Sequence, residues 1–116
     1  MKVPERKEFP DGLVEYRLMG LLHREDGPAQ ILANGDERWY LFGLQHRVGG
    51  PAVECANGTK KWVQCGMLHR LDGPACVFED GCKEWWVSNR PHRTDGPAVT
   101  GGSGPDQYWE NGKKIR

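Results

Sequence analysis

Four histidines, each followed directly by an arginine, are the residues of this chain whose types and spacing could do chemistry. Each histidine follows the previous one by 23 residues. A histidine beside an arginine could transfer a proton next to a stabilising charge, and clustered histidines could bind zinc. The four pairs are His23-Arg24, His46-Arg47, His69-Arg70 and His92-Arg93.

The regular spacing argues against both kinds of site. In a sheet of two-stranded units, equivalent residues are about 9 to 10 Å apart. Two nitrogens that share a zinc ion must come within about 3.5 Å, and a catalytic acid and base must reach one bond. We therefore interpret the pairs as structural, with nearby carboxylates bridging to the arginines. We predict no catalytic residue, no metal site and no cofactor. The carboxylates are Asp26, Asp72 and Asp95, and Gly49 stands at the fourth position.

The histidines belong to a repeat that covers almost the whole chain. Gly-Pro-Ala follows each His-Arg pair, starting at Gly27, Gly50, Gly73 and Gly96. Turn glycines form a column at Gly12, Gly35, Gly58, Gly81 and Gly104. A second column holds Gly20, Gly43, Gly66, Asn89 and Gly112, and an aromatic column holds Tyr16, Trp39, Trp62, Trp85 and Tyr108. These columns predict five tandem units in a single repeat domain over residues 1–116.

Each unit has the pattern of a β-hairpin. Asn34-Gly35 and Asp80-Gly81 are typical of type I′ turns, in which both central residues have positive φ. Segments of the type Gly43-Leu44-Gln45-His46-Arg47 are then expected to connect one hairpin to the next. Apolar residues do not recur at helical spacing. The sequence predicts an all-β fold, a single-layer antiparallel sheet of about five 23-residue β-hairpin repeats, roughly 40 to 50 Å long.

These residues resemble the MORN repeat family, whose unit has the same length and places a histidine after an Asn-Gly turn. The resemblance covers nearly the whole chain, with His-Arg-x-Asp-Gly-Pro-Ala where the common form has His-Gly-x-Gly. It looks like the variant arrays of bacteria, phages and giant viruses. The resemblance implies a sheet of successive hairpins that serves as a scaffold or partner-binding module.

Composition limits the classes of partner. The chain has 16 basic and 16 acidic residues, so its net charge does not favour a polyanion. No apolar run approaches the roughly 20 residues of a membrane span, and Met1 to Arg6 lead into no apolar signal segment. The expected location is the cytoplasm. We expect reduced thiols at Cys55, Cys65, Cys76 and Cys82, whose spacings match no disulfide or zinc pattern.

The aromatic column is expected to stack along one face as the core. Residues in the columns that vary between units should distinguish this repeat sheet from others of the same fold. Side chains alternate between the two faces of a strand. We therefore assign partner binding to a face opposite to Trp39, Trp62 and Trp85. The residues assigned to it are Tyr40, Phe42, Trp86 and Trp109.

Three function classes remain open on sequence alone. The preferred one is a non-catalytic module that binds a protein partner, as an adaptor or as a phage or bacterial inhibitor, with homodimerisation as a further form of association. The second is a nucleotide or nucleic-acid binder that uses aromatic stacking and the repeated arginines. The third is a small hydrolase that uses one His-Arg pair.

The repeat assignment predicts the result of an internal deletion. Removing Ala52 to Pro74 takes out one register-preserving unit. Because stability in such arrays is a sum over units and interfaces, the shortened chain should remain folded and be less stable. Circular dichroism and thermal melting measure this. Loss of all β structure under mild conditions, or a helical spectrum of the parent chain, contradicts the assignment.

Overall fold

The computed structural model describes residues 3–116, so Met1 and Lys2 of the predicted domain lie outside it. The strands are β1 (Glu5–Glu8), β2 (Val14–Leu18), β3 (Leu21–Leu22), β4 (Gln30–Ile31), β5 (Glu37–Arg38), β6 (Tyr40–Leu41), β7 (Leu44–Gln45), β8 (Val53–Glu54), β9 (Lys60–Lys61), β10 (Val63–Gln64), β11 (Met67–Leu68), β12 (Cys76–Val77), β13 (Lys83–Glu84), β14 (Trp86–Val87), β15 (Arg90–Pro91), β16 (Val99–Thr100), β17 (Trp109–Glu110) and β18 (Lys113–Lys114). All pairings between them are antiparallel.

The strands form two rows. The main sheet has the order β1-β2-β4-β5-β8-β9-β12-β13-β16, and β3 also pairs with β2. Beside this sheet lies a second row of hairpins, made by β2 with β3, β6 with β7, β10 with β11, β14 with β15, and β17 with β18. The all-β antiparallel prediction is confirmed.

Each full unit therefore contains two hairpins, where the sequence predicted one hairpin and a connection. The predicted connection, which includes Leu44 and Gln45, is a strand of the second hairpin. The chain passes between the rows at the aromatic column. The amide of Trp39 donates to Ala52 of the next unit at 2.7 Å, and its carbonyl accepts from His46 at 3.1 Å. The strand thus exchanges partners at this residue, because its two backbone groups bond different rows.

The Asn-Gly and Asp-Gly turns of the main sheet are not type I′, which corrects the sequence prediction. Gly35 has a φ of 98°, but Asn34 is not among the residues with positive φ. The amide of Gly35 donates to Leu32 at 2.9 Å, as in a type I turn followed by a left-handed glycine. The Asn34 side chain accepts from the amide of Asp36 at 2.9 Å, which holds the turn locally.

Type I′ geometry occurs in the second row instead. Phe42 and Gly43 have φ values of 45° and 82°, so both central residues are left-handed. Asn89, the predicted substitute for glycine in this column, has a φ of 65°. The residues in the first turn position are Met19, Phe42, Cys65, Ser88 and Asn111, all with positive φ. Four of these five are residue types that rarely adopt this conformation, so the surrounding structure must stabilise it.

The fifth unit departs from the glycine column. Gly104 is not left-handed, whereas Gly101 has a φ of 81°. A Cβ at Gly101 would lie 2.9 Å from the carbonyl oxygen of Gly81. The main sheet reaches Gln107 there through an isolated bridge from Val99. The turn position of this unit has therefore moved to Gly101, where the backbone approaches the preceding turn closely.

The core is small and is made mostly of short side chains. The alanines of the four Gly-Pro-Ala segments, Ala29, Ala52, Ala75 and Ala98, are 0 % exposed. Val53, Val63 and Cys76 are also buried. Burial, and secondarily the charge of Glu84, raises the pKa of the Cys76 thiol to about 11. All four cysteines are free, as expected.

The array has the predicted length. Its principal extents are 49 × 28 × 18 Å, in agreement with the expected 40 to 50 Å. Among the described residues, no helix long and apolar enough to span a membrane is found.

The left-handed turns predict a stabilising substitution. Cys65 is exposed and has a φ of 51°. Asparagine tolerates this conformation better than cysteine, so Cys65→Asn should raise the free energy of unfolding by about 0.5 to 1 kcal/mol. Denaturant unfolding measures the change. Cys65→Val is the matched opposite and should destabilise, because a β-branched residue suits positive φ least. A stabilising valine contradicts the turn assignment.

Candidate functional site

The repeated arginines lie between an aromatic ring and a glycine. The guanidinium carbon of Arg70 is 3.9 Å from the centroid of the Trp62 ring. On its other side, a Cβ at Gly73 would lie 2.8 Å from the same carbon. The same stacking joins Arg24 to Tyr16, Arg47 to Trp39, Arg93 to Trp85 and Arg116 to Tyr108 at 3.8 to 4.1 Å. The glycine of Gly-Pro-Ala is thus required for space, since any side chain would displace the guanidinium.

Hydrogen bonds hold each guanidinium in this position. The Nη1 of Arg70 donates to the carbonyl of Pro74 at 3.0 Å, and its Nε donates to Asp72 at 3.0 Å. Arg24 and Arg93 make the same two bonds. The predicted carboxylate bridge is therefore present in three units. A cation over an aromatic ring contributes about 0.5 to 2 kcal/mol, so the stack is at least as important as the ion pair.

The unit without the aspartate holds its arginine differently. At Arg47, the Nη1 donates to the carbonyl of Pro51 at 3.1 Å and to the carboxylate of Glu54 at 3.0 Å. Gly49 occupies the aspartate position with a φ of 89°, and a Cβ there would meet no atom within 4 Å. The Nε of Arg47 has no partner among residues 3–116.

The histidines hold the turns of the second row. The Nδ1 of His69 accepts from the amide of Ser88 at 3.0 Å, which is 19 residues further along the chain. Equivalent bonds run from Phe42 to His23, from Cys65 to His46 and from Asn111 to His92 at 2.9 to 3.0 Å. Because Nδ1 accepts, the neutral imidazole carries its proton on Nε2. Each histidine thus fixes the left-handed residue of the following unit, as the structural interpretation requires.

Grooves separate successive His-Arg loops. One groove has a volume of about 460 Å³ and is lined by Arg47, Gly49, Trp62, Arg70 and Leu71, among others. The next groove along the array, about 560 Å³, is lined by the equivalent residues one unit later, including Arg70, Asp72, Trp85 and Arg93. We call the side of the array that carries these grooves the arginine face. Within the described part of the chain, no group of three or more metal-ligating side chains comes together.

The aromatic column does not stack ring on ring, contrary to the prediction. Within residues 3–116, the one close pair of rings is His23 with Phe42, 4.2 Å between centroids. The physical reason is that a guanidinium from each His-Arg loop covers a ring in its place. Trp39, Trp62 and Trp85 are half-buried. The Nε1 of Trp39 is buried without a partner among the described residues.

The structure separates the four residues assigned to partner binding. Tyr40, Trp86 and Trp109 are half-buried and occupy equivalent positions at the start of second-row strands. The indole nitrogens of Trp86 and Trp109 donate to Glu84 and Gln107 at 3.0 Å. Phe42 lies instead in a turn, so strand alternation does not place it with the other three. It is 59 % exposed.

An exposed apolar ridge runs along the second row, and the sequence reasoning missed most of it. We define this apolar ridge as Met19, Leu21, Phe42, Leu44 and Met67, which are 40 to 77 % exposed. The side chain of Leu21 comes within 3.4 Å of the Cβ position of Gly43, and that of Leu44 within 3.5 Å of the Cβ position of Gly66. The ridge is therefore continuous across three units. In the sequence, the ridge corresponds to the two variable positions that flank each glycine of the second column, such as Gly20 and Gly43.

The strand residues of the ridge share a face with the grooves. Leu44 pairs across the strands with Leu41, and Met67 pairs with Gln64. Directly opposed residues project to the same side of a sheet, and Gln64 lines the first groove. The ridge and the grooves together make the arginine face a mixed apolar and charged surface.

Comparison of the chain with protein-family models, curated proteins and solved structures finds no match. The likeness to the MORN repeat therefore stays a resemblance in residues and spacing.

The arginine stack predicts a large effect of one methyl group. Gly73→Ala places a Cβ against Arg70 and should lower the free energy of unfolding by about 1 to 3 kcal/mol, because the guanidinium must leave its ring and its acceptors. Gly104→Ala is the control, since nothing lies within 4 Å of that position. Its effect should stay within about 0.5 kcal/mol.

A double-variant comparison isolates the cause. If Gly73→Ala acts by displacing Arg70, it should cost much less in an Arg70→Ala background. Denaturant unfolding of the four proteins measures this coupling. Equal costs in both backgrounds mean that the methyl group acts on something other than the guanidinium.

Proposed function

We propose that this chain is a non-catalytic repeat module that binds a protein partner. The observation that supports this proposal best is the apolar ridge, where five large apolar side chains are exposed in adjacent units. Contiguous exposed apolar surface is characteristic of protein interaction sites. The regular backbone of the array serves as a rigid support for these side chains.

The polarity of the second row changes along the array. The positions equivalent to Phe42 and Leu44 are Ser88 and Arg90 in the fourth unit and Asn111 and Lys113 in the fifth. The partner is therefore expected to contact mainly the first three units through apolar groups. A polar, partly basic border beside an apolar centre is the usual composition of a protein interface.

The two alternatives receive less support. A nucleotide binder would need open aromatic faces, but one face of each ring in the column is covered by an arginine. A hydrolase would need one special histidine. The Nδ1 of each histidine instead accepts a backbone amide in the same way.

The proposal predicts that binding is lost when the ridge is made polar. Leu44→Asp should weaken binding of the partner at least tenfold, equivalent to about 1.4 kcal/mol, without a change in thermal stability. The partner is first recovered from the native host with the tagged chain and identified by mass spectrometry. Affinity is then measured by calorimetry. Val3→Asp is the matched control, because Val3 is 75 % exposed and is not part of the ridge.

The same measurement compares the two faces. Trp86→Ala and Tyr40→Ala test the assignment of binding to the aromatic residues outside the ridge, whereas Trp62→Ala removes a ring that stacks on Arg70 and should mainly destabilise. If binding falls with Trp86→Ala and not with Leu44→Asp, the partner uses the other face. Nuclease-sensitive recovery supports the nucleic-acid alternative, and a dimer in light scattering identifies a second copy as the partner.

A further inference from the structure

The loop at Gly49 lacks a carboxylate that the other three His-Arg loops contain. In three units, an aspartate two residues after the arginine accepts from the arginine Nε at 2.9 to 3.2 Å. In the second loop, Gly49 replaces the aspartate and the Nε of Arg47 is without a partner among residues 3–116. In three loops a carboxylate therefore occupies the position beside the arginine Nε, and in the second loop this position is open.

We propose that a carboxylate of the bound partner, from an aspartate or glutamate side chain, binds the Nε of Arg47 in the place of the missing aspartate. This inference rests on the proposed function, since it names a contact of the same partner. The Arg47 side chain is already fixed before a partner carboxylate binds. Its ring stack on Trp39 at 3.9 Å and its bonds to Pro51 and Glu54 fix the guanidinium plane.

The open Nε of Arg47 favours an acidic side chain in this groove. The lining contains two arginines, Arg47 and Arg70, and one carboxylate, Asp72, which is bonded to Arg70. The next groove contains two arginines and two aspartates. Glu54 approaches Arg47 at Nη1, and leaves the Nε edge open. A Cβ at Gly49 would meet no atom within 4 Å. Gly49 has a φ of 89°, whereas the aspartates of the other three loops are not among the residues with positive φ, so the backbone of this loop differs from theirs.

Two exposed apolar side chains belong to the loops on either side of this groove. Val48 and Leu71 are 74 % and 79 % exposed, and Leu71 lines the groove. The equivalent residues in the other two loops are Glu25 and Thr94. A bound partner that covers these apolar side chains would exclude water from the groove, and exclusion of water strengthens a charge-assisted hydrogen bond.

The test uses acetate as the probe and the Nε–H signals of the arginines as the readout. In two-dimensional nitrogen–proton spectra, acetate at about 0.1 M should shift the Arg47 signal at least threefold more than the Arg24, Arg70 and Arg93 signals, with sodium chloride as the ionic-strength control. Gly49→Asp should abolish the response, because the variant supplies its own carboxylate. Gly49→Ala, which adds a Cβ at the same backbone position but no hydrogen-bond acceptor, should retain it.

The outcomes separate this inference from the proposed function. For the recovered partner, Gly49→Asp should weaken binding about tenfold and Gly49→Ala less than about twofold. Unchanged binding by Gly49→Asp overturns the inference and leaves the ridge proposal standing. If no partner is recovered, the acetate response still decides the chemistry. A response equal at all four arginines, or a response to inorganic phosphate without one to acetate, overturns the carboxylate assignment.

Discussion

The stacking of one planar guanidinium between an aromatic ring and a glycine is the constraint on which each unit depends. The ring of Trp62 belongs to one unit, and the Gly73-Pro74 segment that receives Arg70 leads into the next. A single side chain therefore joins the aromatic residue, the loop and the next main-sheet strand. Lysine could not replace arginine here. Its ammonium group is not planar, so it cannot stack on the ring, and it does not present separate Nε and Nη donors to the aspartate and the proline carbonyl.

Several repeated residues have their explanation in this stack. The glycine leaves space for the guanidinium, the proline supplies a carbonyl, and the aspartate takes the Nε proton. The alanine that follows is fully buried. The second loop shows which part can vary, because Glu54 holds Arg47 where the aspartate is missing. The stack and the proline bond are kept in that loop as well, so they are the more basic part of the arrangement.

Much of the fold follows from the sequence columns, and the remainder depends on contacts between units. The columns predict the units, their length and their antiparallel strands. They do not reveal the second hairpin, because its second strand lies in the segment that was interpreted as a connection between units. The turn type of the main sheet was assigned wrongly, since Asn34-Gly35 has a favourable I′ sequence but bonds locally as a type I turn. Phe42 adopts positive φ in a turn whose amide donates a hydrogen bond to His23 of the preceding unit.

The candidate site was less predictable than the fold. The exposure of Leu44 and the open Nε of Arg47 depend on which side chains lie near them in the folded array. A single sequence does not specify these neighbours. Glu54 lies seven residues from Arg47, on a strand whose register only the folded sheet defines. The partly buried state of Tyr40, Trp86 and Trp109 likewise reflects side-chain packing that strand alternation alone does not specify.

The bonds of the second-row turns give the array a direction. The amides of Phe42 and Gly43 donate to His23 and Leu22, both in the preceding unit. During synthesis the preceding unit leaves the ribosome first, so each new turn meets its acceptors already in place. The second-row turns can thus form in step with translation, one unit at a time. A unit made in isolation would have to hold its strained turn without the histidine that relieves it.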